Sequence, residues 1–297
     1  MWFTYSLLTM FAWGIDSLFQ KLGSDPRDKQ SHWKVTMYVG FAFGIHAVCY
    51  MLYKGISYDP INMIKYLPVS LCYIVSMTLS YVGLRYLELS VLNPIANSSG
   101  AVTAVLCVIF LDQKMSAIQI AAVVMICVGI AALSFLENQH DKELRAREGT
   151  VVDSKYVYSA LALMFPLMYL ILDGVGSFAD AFYLNKVLSE ADALLSYEFT
   201  FLLVAIGSFI WVKFIRKSKF VFADDKWKAG AAVLETAGQF FYVFAMAENA
   251  VVAAPMIAAY CVVALVLSPW VIKERLSLKQ YIAIAFVVVG IVILGIE

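Results

Sequence analysis

Five carboxylates stand inside stretches otherwise fit for hydrocarbon: Asp16, Asp173, Asp180, Glu198 and Glu235. An ionisable side chain in that setting is costly, so each is a candidate functional group. A carboxyl withdrawn from water can take up and release a proton during a transport cycle, or counter the charge of a cationic substrate. One residue serves both ends if proton and substrate compete for it. The comparable base is His46, since Arg85 lies at the end of an expected helix, where its head can snorkel to the interface. Plainer readings stand beside these. Glu198 falls near a helix start, where solvation or the helix dipole would satisfy it, and His46 reads equally as a hydrogen-bonded packing residue.

Neutral groups can complete such a site. Trp13, Tyr81, Tyr242 and Tyr260 offer aromatic faces to a cation, and the tyrosines add hydroxyls. Asn93 and Asn97 share one face of an expected helix. With 17 tyrosines and 6 tryptophans in the chain, most must pack or anchor at the membrane interface. Other chemistries lack their residues. There is no HExxH, GxSxG or GxxxxGKS/T pattern, and His32, His46 and His140 are far apart. The five cysteines, Cys49, Cys72, Cys107, Cys127 and Cys261, have no metal-ligand spacing and lie in apolar runs. No mid-helix lysine suggests retinal. These readings imply no enzyme, cofactor or metal, and a charge balance of 22 basic and 22 acidic residues gives no reason to expect nucleic acid.

The elements that must position these groups follow from composition. Of 297 residues, 62% are hydrophobic and 15% charged, too apolar for a water-soluble core of this size. A span needs about 20 mostly apolar residues in helical form, because hydrocarbon offers its backbone no partners. Ten segments qualify: 2–20, 33–53, 66–86, 89–110, 117–136, one from about 156, 193–214, 229–247, 251–271 and 278–296. The first lacks a basic leader and cleavage site, so it reads as a retained helix. The polar stretch 137–154, ENQHDKELRAREGTVVDS, divides the chain into 1–136 and 155–297. Gly40 and Gly44, in GFAFG, give a small-xxx-small spacing that reads as helix packing.

The halves repeat. A gapless shift of 161 places Pro94 on Pro255, Lys114 on Arg275, Ser116 on Ser277, Gly129 on Gly290 and Tyr81 on Tyr242. Each half holds an odd number of spans, so the copies must be inverted, as in many transporters. The sixth span is open to two readings. Placing Gln20-Lys21 on Asn185-Lys186, an offset of 165, extends it to about Lys186, with Pro166, Gly174 and Gly176 permitting a kink. Asp173 and Asp180, seven apart, then share a face inside the bilayer. The other reading ends the helix near Gly176 and leaves both aspartates in a solvated interfacial segment.

The segment 250–294, AVVAAPMIAAYCVVALVLSPWVIKERLSLKQYIAIAFVVVGIVIL, and FAWG at residues 11–14 resemble the ten-helix EamA-type branch of the drug/metabolite transporter superfamily, and 94–129 is a weaker copy of the same repeat. The resemblance covers essentially the whole chain. It implies an all-α integral membrane protein of ten transmembrane helices in two inverted five-helix repeats, with a cavity lined from both halves. It further implies a carrier of small metabolites, amino acids or toxic compounds. Relatives usually keep their termini in the cytoplasm. Here 18 of the 22 basic residues fall in loops after odd-numbered helices and 4 after even-numbered ones, which predicts external termini. The expectation is a secondary transporter working by alternating access, with the two repeats rocking about a midplane cavity, for a cationic or amine solute with proton coupling. The alternatives are a facilitative carrier of neutral metabolites or a membrane-embedded enzyme. Its partners are a small-molecule substrate and the lipid bilayer, and the lack of a long targeting segment suits a bacterial inner membrane.

Overall fold

The computed structural model describes residues 1–23, 28–83, 96–148, 160–271 and 276–297. Ten helices follow one another among the described residues: α1 (Trp2–Gly23), α2 (Ser31–Lys54), α3 (Ile61–Gly83), α4 (Ser99–Phe110), α5 (Ala117–Glu148), α6 (Ala160–Lys186), α7 (Glu190–Ile210), α8 (Phe222–Ile257), α9 (Tyr260–Val271) and α10 (Leu278–Ile296). Six are long and apolar enough to cross a membrane, and α4, α9 and the 117–133 part of α5 are shorter apolar pieces. Large apolar side chains such as Ile45, Ile109, Val128, Leu203 and Ile282 stand exposed on the outside. In water that would be a liability; against lipid it is the matching surface.

The chain is built as two inverted five-helix repeats, and the packing is twofold in detail. The main pairing of α1 with α8 is answered by α6 with α3, α2 with α8 by α7 with α3, and α1 with α9 by α6 with α4; α2–α7 and α5–α10 are self-paired. Glycines report the same symmetry at atomic scale. A Cβ on Gly14 would strike Val263 and the Tyr260 carbonyl, and one on Gly174 would strike Val102 and the Ser99 carbonyl. Likewise Gly129 admits Val287 while Gly290 admits Ile126. Even the caps recur. Gln119 N donates to Ser116 Oγ (3.1 Å) and Ser116 N to Gln119 Oε1 (3.0 Å) at the start of α5, and Gln280 and Ser277 repeat that box at α10, at 3.3 and 2.7 Å.

Two expectations are revised. The fourth and ninth spans are not single helices: both break, at Asn97-Ser98 and Ala258-Ala259, positions related by the shift of 161. The first bonds after the breaks correspond too, Ala101 N to Ser98 O (3.2 Å) and Val262 N to Ala259 O (2.9 Å). Pro255, which has no N–H to continue the ladder, sits just ahead of the second break. The eighth span and the first piece of the ninth, both within α8, meet at Asn249, whose backbone is not helical (φ −159°, ψ 75°), so the two expected spans are separate there. The register of the first and sixth helices also differs. α6 does extend to Lys186, but the equivalence of Gly14 with Gly174 sets the offset at 160, so Gln20 falls on Asp180 and not with Asn185 alongside. Packing against the broken helices fixes that register; a two-residue polar match does not. Gly174 and Gly176 serve close approach to Val102 and Cys72. Gly40 brings α2 onto α7, where a Cβ would lie 2.5 Å from the Phe201 carbonyl. α5 continues helically to Glu148, into the polar stretch between the halves.

Candidate functional site

The two broken helices leave space between them, and a cavity of about 140 Å³ fills it. Cavities of this order hold a ligand of benzene size. α1 supplies Trp13, Asp16, Ser17 and Gln20; α3 supplies Tyr73, Met77 and Ser80; α6 supplies Tyr169, Asp173 and Ser177; α8 supplies Glu235, Gln239 and Tyr242; the breaks supply Asn97 and Tyr260. The α1 and α3 residues lie in the second halves of those helices, toward the loops after odd-numbered helices, and the α6 residues straddle that helix's middle. The cavity therefore sits toward the end of the bundle that carries the loops after odd-numbered helices.

Three carboxyls face this space. Asp16 is 3% exposed, takes a hydrogen bond from Gln20 Nε2 at 2.7 Å through Oδ2, and has no partner at Oδ1. Glu235, 8% exposed, stands beside it, the two groups close enough to share a proton. Contact between two carboxylates is stable only if a proton or a cation lies between them. Asp173 is held by the hydroxyls of Ser99 and Tyr169. Among the described residues, no Lys, Arg or His lines the cavity. Aromatic walls close it: Trp13 lies 5.3 Å from Tyr242 and 6.3 Å from Tyr260, centroid to centroid. Gly238 makes the first possible, because a Cβ there would lie 2.4 Å from the indole. The amide nitrogens of Asn97 and Gln239, both buried, also lack partners. The lining therefore presents acceptors and donors with nothing of the protein's own to satisfy them.

Of the residues singled out in the sequence, Trp13, Asp16, Asn97, Asp173, Glu235, Tyr242 and Tyr260 come together here. Asp180 and Glu198 do not. Asp180 is fully buried one turn beyond Ser177, where Tyr66 donates its hydroxyl to Oδ1. Glu198 is fully buried between α7 and α2 and meets His46 Nδ1 at 2.7 Å. That pairing answers the plainer reading of His46 as a hydrogen-bonded residue. Asn93 lies outside the described residues, as does the side chain of Tyr81, whose backbone belongs to α3.

Sequence reasoning missed Tyr73, Tyr169, Tyr197, Ser177, Gln20 and Gln239. Two carried a signal: Gln20 follows Asp16, and Gln239 follows Glu235, by four residues on one helix face. Among the described residues no cluster of three or more His, Cys, Asp or Glu side chains is placed to hold a metal ion.

A model of the EamA-like transporter family matches residues 1–135 and 163–296. Solved structures match as well, 28 chains in all. One, titled only "Crystal structure of protein", superposes with a TM-score of 0.74 at 11% identity over 99% of this chain and 96% of its own. At that identity the likeness is one of fold. No curated protein matches the sequence.

Proposed function

Since this chain belongs to the EamA-like transporter family, whose members move small solutes across membranes, we propose that it is a secondary transporter of a small cationic or amine-bearing solute, coupled to protons and working in the cell membrane. The observation that carries this reading is the lining of the cavity: Asp16, Asp173 and Glu235, with no basic side chain among the described residues that line it and aromatic rings around them. An ammonium group would satisfy Asp16 Oδ1 and separate the Asp16 and Glu235 carboxyls; a proton can do the same in its absence. Competition between the two for one pair of carboxyls is a sufficient basis for exchange. Ring faces of Trp13, Tyr242 and Tyr260 add to the attraction for a cation.

Alternating access would not move the repeats as bodies. The principal interfaces join one repeat to the other, α1 to α8 and α9, and α6 to α3 and α4. The units that would part across the cavity are then two mixed bundles, α1-α8-α9 and α3-α4-α6, related by the internal twofold and touching where Gly100 of α4 packs on Ala254 at the end of α8. With the charge bias placing the odd loops in the cytoplasm, the cavity as it stands is on the cytoplasmic side and both termini are external. A C-terminal reporter active only in the cytoplasm would be silent.

The test is proton flux in proteoliposomes with an internal pH dye, challenged with pools of amines, amino acids and neutral metabolites. An amine pool should move protons through the wild type, and Asp16→Asn or Glu235→Gln should abolish the response. A response confined to neutral solutes and indifferent to the pH gradient would make the protein a facilitative carrier instead.

A further inference from the structure

Asp180 is left over by that reading, and its surroundings are specific. The cavity ends at three hydroxyls that meet from three helices. Tyr73 of α3 and Tyr242 of α8 lie 2.7 Å apart, and both donate to Ser177 Oγ of α6, at 3.2 and 3.0 Å. This triad joins α8 of one mixed bundle to α3 and α6 of the other, on the wall of the cavity away from the odd loops. Directly behind it is Asp180. Its Oδ1 accepts from Tyr66, its Oδ2 has no partner, and the next side-chain donor acting on it is the Tyr73 hydroxyl. Among the described residues, the titratable groups around it are tyrosines and one acid: Tyr66 and Tyr73 on α3, Tyr242 on α8, Tyr197 of α7 against the Tyr73 ring, Tyr183 against Tyr66, and Asp173 two turns back on α6. No basic side chain is among the groups acting on Asp180.

We propose that Asp180 is a proton-binding site separate from the cavity, and that the proton it holds decides whether Tyr73 keeps the hydroxyl contact that seals the cavity's far wall. Tyr73 has one hydroxyl hydrogen and two claims on it. With the proton on Asp180 Oδ2, the acid needs nothing from Tyr73, which donates its one hydrogen to Ser177, as in the arrangement described. To lose that proton, Asp180 passes it to the Tyr73 oxygen while Tyr73 hands its own hydrogen on through Ser177 or Tyr242 to the cavity. One proton leaves Asp180 and one emerges in the cavity. The same hop leaves the Tyr73 O–H pointing at a carboxylate that is fully buried and cannot spare it. The triad loses a donor, and the contact between the bundles weakens. Proton release into the cavity and loosening of the opposite wall are thus one event.

The purpose of this device rests on the transport reading above; its chemistry does not. It is tested by pH-difference infrared spectroscopy of the full chain in lipid nanodiscs. Acidification of the wild type should produce a carboxylic-acid C=O band that is lost in Asp180→Asn, kept in Asp16→Asn, and shifted in both Tyr66→Phe and Tyr73→Phe. The two tyrosine variants keep the ring in place, so they serve if Asp180→Asn fails to fold. An Asp180→Asn spectrum identical to wild type, or a band indifferent to Tyr73→Phe, overturns the proposal. A wild type that shows the band yet moves no solute removes the transport reading and leaves the Asp180 site standing, while proton-coupled flux without the band does the reverse.

Discussion

Asp16 and Asp180 are both buried aspartates in apolar helices, yet what faces each is different. Asp16 meets another carboxyl and open space, whereas Asp180 meets a tyrosine hydroxyl. Replacing Asp16 by Asn should lower amine uptake in proteoliposomes about tenfold or more, since losing a hydrogen bond to a charged group costs about 1.5 to 3 kcal/mol and every ~1.4 kcal/mol is tenfold. Outside the membrane, Asp28 and Lys34 form a separate test. Lys34 Nζ, a buried amine, contacts Asp28 Oδ2 and the Lys219 carbonyl, each at 2.6 Å. Burial alone would raise the Asp28 carboxyl, but the hydrogen bonds from Lys34 and the Gln30 amide, with the Lys34 charge, hold it below its ordinary value. A lowered folded-state value stabilises above the unfolded value and is lost as pH falls through the folded one. Thermal stability in detergent should therefore decline on the acid side, and Asp28→Asn should be less stable near neutrality and flatter across that acid limb. Ionisable residues in hydrocarbon were legible one at a time. Which of them share a space was not, because the cavity ends where Tyr73 and Tyr242 meet from helices far apart in sequence. A partial clue existed: Tyr66 and Tyr73 on α3 have the same seven-residue spacing as Asp173 and Asp180 on the helix that packs against it.

Helix ends and contacts carry the information of the next scale. Ser277 is expected to contribute about 1 kcal/mol through its capping box, so Ser277→Ala should lower the melting temperature of the purified protein, and Ser116→Ala should do likewise at the equivalent cap. Gly14 has no room for a side chain, with the Tyr260 carbonyl 2.8 Å from a would-be Cβ. Gly14→Val should separate α1 from α9, destabilise by about 1 to 3 kcal/mol or more, and disturb the site by displacing Tyr260. Thermal melts and amine binding measured on the same sample would show both effects. The ten apolar runs made these helices readable in advance. Their breaks were not readable, because Pro94 and Pro255 mark only that a helix is weakened and not where it stops. The register of α6 depended on Gly174 against Val102 and Ser99, a contact between elements and not a property of either.

At the scale of the molecule, parity of spans and the shift of 161 already dictated inverted repeats. What they could not dictate is that the repeats interlock, so that the moving bodies proposed above are drawn from both. A disulfide engineered between α8 and α3 near the Tyr73-Tyr242 contact should abolish transport and recover it on reduction, whereas one between α1 and α8, inside a single mixed bundle, should leave it intact. Uptake before and after reductant would distinguish these units from rocking repeats.

The twofold holds for glycines, caps and helix breaks, but not for the acids. Under it Asp16 corresponds to Gly176, Asp173 to Trp13, Asp180 to Gln20 and Glu235 to Ile74. Under the alternating access proposed above, the two access states would be alike in shape and unequal in energy. With identical solutions on both faces, the protein should still rest mainly in one of them, a built-in rectification that sets the direction in which a modest gradient is most readily harnessed.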